Sequence, residues 1–124
     1  MPEVELNEIL INVLKTGTGL PVEQDEYDGK KDKYIVFIYE DERPTGHADN
    51  KPYADTVYLQ IQLITPKSFN YFKLKRKIRN LLENADFSVT STRSFLGSVY
   101  VGTEKIRQTV FKVEYTEGRQ EERE

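Results

Sequence analysis

Apolar positions recur along this chain with two different periods. From Glu3 to Lys15, Leu6, Ile9, Leu10, Val13 and Leu14 share one helical stripe, while Glu5, Glu8, Asn12 and Lys15 fall on the other side. That spacing predicts an amphipathic helix. Pro2 suits its first turn, the early glutamates complement its dipole, and Gly17 supplies a stop. Leu20 and Val22 predict a short strand, followed by a charged turn, EQDEYDGKKDK, around Gly29. The run YIVFIY, Tyr34 to Tyr39, has the length and β-branched content of a strand covered on both faces. Val57, Leu59, Ile61 and Leu63 then alternate with Tyr58, Gln60, Gln62 and Ile64, the period of a strand with one buried face, which Pro66 ends.

A second helix is predicted from Ser68, as N-cap, to Ala85. Its projection puts Tyr71, Leu74, Ile78, Leu81, Leu82 and Ala85 on one stripe, and turns Phe69, Phe72, Lys73 and Arg76 away from it. FSVTSTRSF predicts a strand from Phe87, Gly97 and Gly102 punctuate a turn region, and Thr109, Phe111, Val113 and Tyr115 give a last alternation. The order predicts an α+β domain with two helices packed on one face of a mostly antiparallel sheet of about four to five strands. One domain is expected over residues 1–118, and a charged flexible tail over 119–124.

Between the second and third strands stands EDERPTGHADNKPYAD, residues 40–55, which reads as a long polar loop and holds the only histidine, His47. His47 lies among Pro44, Gly46, Asp49, Asn50 and Pro52, with no G-x-S-x-G elbow anywhere, so it reads as a solvated histidine and not a catalytic one. The carboxylates Glu40, Asp41, Glu42, Asp49 and Asp55 are abundant, but nothing in the sequence singles out an acid and base pair. "KTGTGL" follows a helix and lacks a Gly-Lys-Ser/Thr ending, so no phosphate cradle is expected. With no cysteine, disulfides, thiolate nucleophiles and sulfur-ligated zinc are excluded. No catalytic residue, cofactor or metal is expected.

The chain has 124 residues, 31% of them charged, with a net charge of −3. This fits a globular protein with a heavily solvated surface and offers no overall excess of cations for bulk nucleic-acid binding. The acidic start MPEVELNEIL is unlike a secretory leader, and no apolar run approaches the roughly 20 residues of a membrane span. A cytoplasmic origin is the expectation. KLKRKIR concentrates cations on the second helix, so a nucleic-acid-binding module using that helix is one alternative. Aromatics with Arg and a charged rim are also the composition of a protein interface. Acidic loops and a basic helix on one chain allow identical subunits to meet head to tail, a contact that closes into rings when the rotation permits.

Taken together, YIVFIYEDERPTGHADNKPYADTVYLQIQLITPKSFNYFKLKRKIRNLLENADF and TVFKVEY resemble the tail terminator, or tail-to-head joining, proteins of bacteriophages and prophages. The shared pattern is a strand, a polar stretch with Tyr53, Ala54 and Asp55, an alternating strand, a helix opening on an aromatic, and Phe87 leading into a hairpin. The resemblance implies a non-enzymatic structural virion protein, assembled in the bacterial host cytoplasm and located at the head–tail interface. It implies a ring, typically hexameric, that caps the tail tube and docks to the head connector, with DNA passing through the channel without specific binding. A head-side connector adaptor is a neighbouring reading. RPTGH and KLKRKIR have no counterpart in the family pattern. On the residues alone, the expected contacts are Phe69, Phe72, Lys73 and Arg76 on the second helix, with Glu42, Arg43, His47 and Asp49 in the polar stretch. Residues 43–51 are expected to be mobile in a lone subunit and ordered in the ring.

Overall fold

A computed structural model describes residues 3–48, 51–101 and 103–118, with side chains described for 5–45, 54–98 and 103–117. Seven elements follow one another: α1 (Glu3–Thr18), β1 (Val22–Gln24), β2 (Tyr34–Ala48), β3 (Lys51–Pro66), α2 (Phe72–Asn84), β4 (Ser88–Val101) and β5 (Glu104–Gly118). The strands form one open sheet in the order β1-β2-β3-β5-β4. β1 runs parallel to β2, and every other neighbouring pair is antiparallel. The expected α+β class, with two helices and a mostly antiparallel sheet, is the one observed.

Period two decides which side chains meet the helices. Ile35 pairs with Leu63 and Leu63 with Thr109; Phe37 pairs with Ile61 and Ile61 with Phe111; Leu59 pairs with Val113. Direct partners share a face, and the apolar residues among these join Leu6, Leu10 and Leu14 of α1 and Ile78 and Leu82 of α2 in one buried cluster, with Thr109 buried beside them. Each fully buried Leu, Ile or Phe contributes about 1.5–3 kcal/mol from the apolar surface it removes from water. The i, i+4 spacing of the three leucines is what makes α1 fit the sheet. Both faces of β2 are covered around Val36, as the unbroken apolar run predicts.

Helix ends differ from the expectation in ways that local geometry explains. α1 runs past Gly17 to Thr18, and the stop is Gly19, whose φ of 74° puts it in the left-handed region. Its N–H donates to the Lys15 carbonyl at 2.8 Å, closing an αL cap. Gly17 has a packing role instead, since a Cβ there would lie 2.4 Å from Leu81 Cδ1, so α1 and α2 approach closely at this point. α2 starts at Phe72 and not Ser68. The Ser68 N–H is taken by the Glu104 carboxylate at 2.7 Å, and the Asn70 side chain accepts the Phe72 N–H at 3.2 Å. At its far end Asp86 adopts φ 70°, and the Phe87 N–H reaches the Leu82 carbonyl at 2.9 Å, so buried Phe87 closes a Schellman turn.

The larger correction concerns the polar stretch 40–55, whose described residues, 40–48 and 51–55, are strand and not loop. β2 and β3 pair residue against residue from Tyr34↔Ile64 to Ala48↔Lys51, with one irregularity between Tyr39 and Asp41. β5 continues along β3 as far as Ala54↔Gly118. At roughly 3.3 Å per residue the 16 residues of β3 span about 50 Å, whereas the 16 residues of α1 span only about 24 Å. The helices therefore leave part of the sheet's length uncovered: Leu6 of α1 reaches Val57 and Glu117, and β2 and β3, flanked by β5 only as far as Gly118, continue beyond as an arm that ends in two strands. Among the described residues no helix is long and apolar enough to cross a membrane.

Candidate interaction surface

α2 sorts its two flanks by the register of its buried stripe. Ile78 and Leu82 point into the core, which leaves Phe72 and Arg76, one turn apart, exposed on one side, and Lys73 and Lys77 exposed on the other. Phe72 is 51% exposed and stacks on Tyr71 with ring centroids 4.9 Å apart. Lys75 Nζ lies 5.0 Å from the centre of the Phe72 ring and 5.5 Å from that of Tyr71, and the Arg107 guanidinium covers Tyr71 at 4.9 Å. Leu96, paired with Arg107 across β4 and β5, is exposed beside this group. The result is an aromatic pair held between two cations, with an aliphatic side chain next to it.

Phe69 and Lys73 belong elsewhere. Phe69 sits in the turn before α2, half-buried, with Lys33 Nζ 4.9 Å from its ring centre. Together with Leu20, Lys73, Leu74 and Lys77 it lines a groove of about 480 Å³ between the end of α1 and α2. The four expected contact residues on the second helix thus divide between two surfaces, because the helix begins three residues after Phe69. Tyr71, Lys75, Leu96 and Arg107 were not among the expected contacts. Lys75, three residues from Phe72, was the one readable signal, since i, i+3 neighbours share a helix face.

On the arm, Glu42 and Arg43 are exposed side chains of β2. Arg43 Nε donates to Asp41 Oδ2 at 2.7 Å and its guanidinium lies 5.3 Å from the Tyr58 ring centre. The Arg43 side chain holds the Asp41 carboxyl below its ordinary range. His47 has its backbone in β2, opposite Pro52; its side chain, and the whole of Asp49, lie outside the described residues. β3 and β5 separate β2 from β4 and the α2 flank, so the arm residues and the helix residues form distinct surfaces.

The sheet face turned away from the helices carries a polar ladder. Gln60 Nε2 and Lys112 Nζ both donate to Glu40 Oε2 at 2.9 Å, and Gln62 Nε2 donates to Gln60 Oε1 at 2.9 Å. Lys112, above all, holds the Glu40 carboxyl below its ordinary value. Ser91, Arg93 and Phe95 of β4 border the same face over a groove of about 330 Å³. On the other face Tyr39 Oη donates to Asn7 Oδ1, and Asn7 Nδ2 to Gln24 Oε1 at 2.9 Å, tying α1, β1 and β2 together. These groups are bonded to one another in a way that fits structure. Among the described residues no cluster of three His, Cys, Asp or Glu is placed to hold a metal ion.

No protein-family model and no curated protein matches the chain. A solved structure whose title gives no function is similar over 97% of this chain and 94% of its own length, with a TM-score of 0.55 and 13% identity. At that identity the likeness concerns the fold.

Proposed function

We propose that this chain is a non-enzymatic structural subunit of a bacteriophage or prophage tail, a tail terminator or head–tail joining protein that works by closing into a ring, hexameric as in the family it resembles. The observation that carries the reading is the separation of two exposed, chemically unlike surfaces: the acidic strand edge of the arm and the cationic, aromatic flank of α2. A subunit with unlike surfaces on opposite sides of one sheet is suited to head-to-tail contact and hence to a ring. The arm supports the same reading, because a projection that ends in two strands has too little core of its own and gains by lying against a neighbour or a tube. In such a ring DNA passes through the channel unbound, and the tail tube protein and the head connector are the partners.

Light scattering over a range of concentrations, followed by electron microscopy, tests the assembly. Rings are expected, and phage particles lacking the protein are expected to carry tails that are overlong or not joined to heads. A chain solitary at every concentration, with tails maturing normally in its absence, overturns the proposal. The cations of α2 favour one other reading, nucleic-acid binding, which predicts retention on DNA that falls steeply with salt and no rings.

A further inference from the structure

The two outer edges of the sheet are finished differently. β4 is the last strand on one side, and its 14 residues, SVTSTRSFLGSVYV, contain no proline, no lysine and no acidic residue. A long edge whose only charge is Arg93, with no proline and, among the described residues, no strand beyond it, is a template for another strand. On the opposite side β1 pairs only with Ile35 to Phe37, so from Glu40 to Ala48 the outer edge of β2 is unpaired among the described residues. That stretch is guarded by Glu40, Asp41, Glu42, Arg43 and Pro44, the devices that blunt an edge against indiscriminate pairing.

We infer that the β4 edge of one copy, over Ser88–Leu96, takes the β2 edge of the next copy, over Glu40–Ala48, as an antiparallel neighbour, so that the sheet continues from subunit to subunit. This rests on the ring reading above and names the contact that would build it. Direction follows from the sheet: β2 and β5 run one way and β3 and β4 the other, so copies placed side by side present β4 and β2 antiparallel. Length agrees, since each stretch is nine residues, and β4 keeps its pairing with β5 in step from Ser91 to Leu96 before the irregularity at Leu96–Tyr100.

Charge chooses the partner. α2 packs beside β4 and bears Lys73, Lys75, Arg76, Lys77 and Arg79 against Glu83 alone, so two β4 edges meeting about a two-fold axis would bring two cationic helices together. The β2 edge, three carboxylates against Arg43, is the complementary one. Pro44 withholds one donor and the Glu42 N–H is taken by Asp41 Oδ1 at 2.8 Å, while the outward carbonyls and the other outward N–H groups of the stretch face a neighbour. Because β1 occupies the start of the β2 edge, the incoming strand must sit further along it. That displacement is a stagger, and a closed sheet requires one.

The native chain has no cysteine, so single thiols report the contact cleanly. Thr92→Cys and Glu42→Cys, both at exposed positions, are coexpressed under two tags and treated with a thiol cross-linker long enough to absorb a register error of two residues. A cross-linked product carrying both tags is expected, with none from either variant alone. Product from Thr92→Cys alone would mean two-fold β4 pairing and overturns the inference. Rings that form without the mixed product also overturn it while leaving the ring reading intact. A chain that stays monomeric throughout removes both.

Discussion

Lys112 Nζ on β5 lies 2.9 Å from Glu40 Oε2 on β2, reaching across the intervening strand β3, whose Gln60 donates to the same oxygen. The contact falls where the β2–β3 register shifts between Tyr39 and Asp41, so Glu40 is the extra residue of a bulge that turns its carboxylate onto the open face. Two donors fix that carboxylate at the junction between the helix-covered sheet and the arm.

The pH consequence follows from the sign of the shift. Glu40 is held below its ordinary value of 4.5, chiefly by the hydrogen bond from Lys112, so the folded state favours its ionised form. The stability this supplies is present above pH 4.5 and is lost as the pH falls through the lowered folded value. Both side chains are substantially exposed, 45% for Lys112 and 33% for Glu40, so after solvent screening the contribution is about 0.5 kcal/mol. Denaturant titrations of wild type and Glu40→Gln should differ at pH 6 and converge on acidification; a gap that persists unchanged at low pH would remove this account.

Backbone conformation gives a second expectation. Asp86 pays for its left-handed φ of 70°, a region that costs a residue with a Cβ. Asp86→Gly should raise stability by up to about 1 kcal/mol, because glycine adopts this region without a Cβ clash. Gly19→Ala, at φ 74°, should lower it by about 1 kcal/mol for the same reason. Thermal unfolding of the two variants in opposite directions is the check; shifts of the same sign would contradict the cap assignments.

The core makes a larger and simpler demand. Leu10 is fully buried between α1 and the sheet, within the single cluster that both helices share. Leu10→Ala should cost about 2–5 kcal/mol, the range for a leucine truncated in a core that relaxes only in part. Urea unfolding measures it, and a loss under 1 kcal/mol would place Leu10 in a site that collapses freely.

Much of this architecture can be read in the residues themselves. Leu6, Leu10 and Leu14, or Ile78 and Leu82, announce a helix face because nothing else keeps a four-residue period, and Leu59, Ile61 and Leu63 announce a strand. The arm was not legible, because Glu40 to Asp55 is made of residues that favour turns, and its strand conformation comes from the pairing of β2 with β3, as Pro44 with Asp55, which β5 joins at Ala54 and Asp55. Pairing with the neighbouring strands overrides local preference there. Ser68 misled because it lies in a separate turn, where the Phe69 N–H donates to the Pro66 carbonyl at 3.1 Å, and helical bonding begins only with the Lys75 N–H to the Tyr71 carbonyl at 2.8 Å. Among the candidate contacts, Phe72 and Arg76 were placed correctly on an exposed flank by helical projection alone, whereas Phe69 was projected onto a helix that does not include it.

Phe72 tests the flank of α2. Half exposed and held by Tyr71 and Lys75 at the surface, it contributes little to the core, so Phe72→Asp should change stability by no more than about 0.5 kcal/mol. If the flank meets a neighbour, the same substitution buries a charge at the contact and should abolish rings, as seen by light scattering. Normal rings from a folded Phe72→Asp protein would remove the flank from the assembly.

The edge of the arm offers the most direct observation of assembly. β3 has a strand on both sides along its paired length, so its amides between Asp55 and Thr65 should exchange slowly in a lone subunit and in a ring alike. β2 from Glu40 to Ala48 has a strand on its β3 side alone among the described residues, so its outward amides, apart from that of Glu42, which Asp41 accepts, should exchange fast in a lone subunit. Pairing with β4 of a neighbour would slow those amides in the ring, and it would slow the outward amides of Ser88–Leu96 with them. The expected result is therefore a pair of protected stretches that appear together as concentration rises, with β3 unchanged. Equal exchange of the β2 stretch in monomer and ring would show that the neighbour does not bond this edge, whatever else holds the ring together.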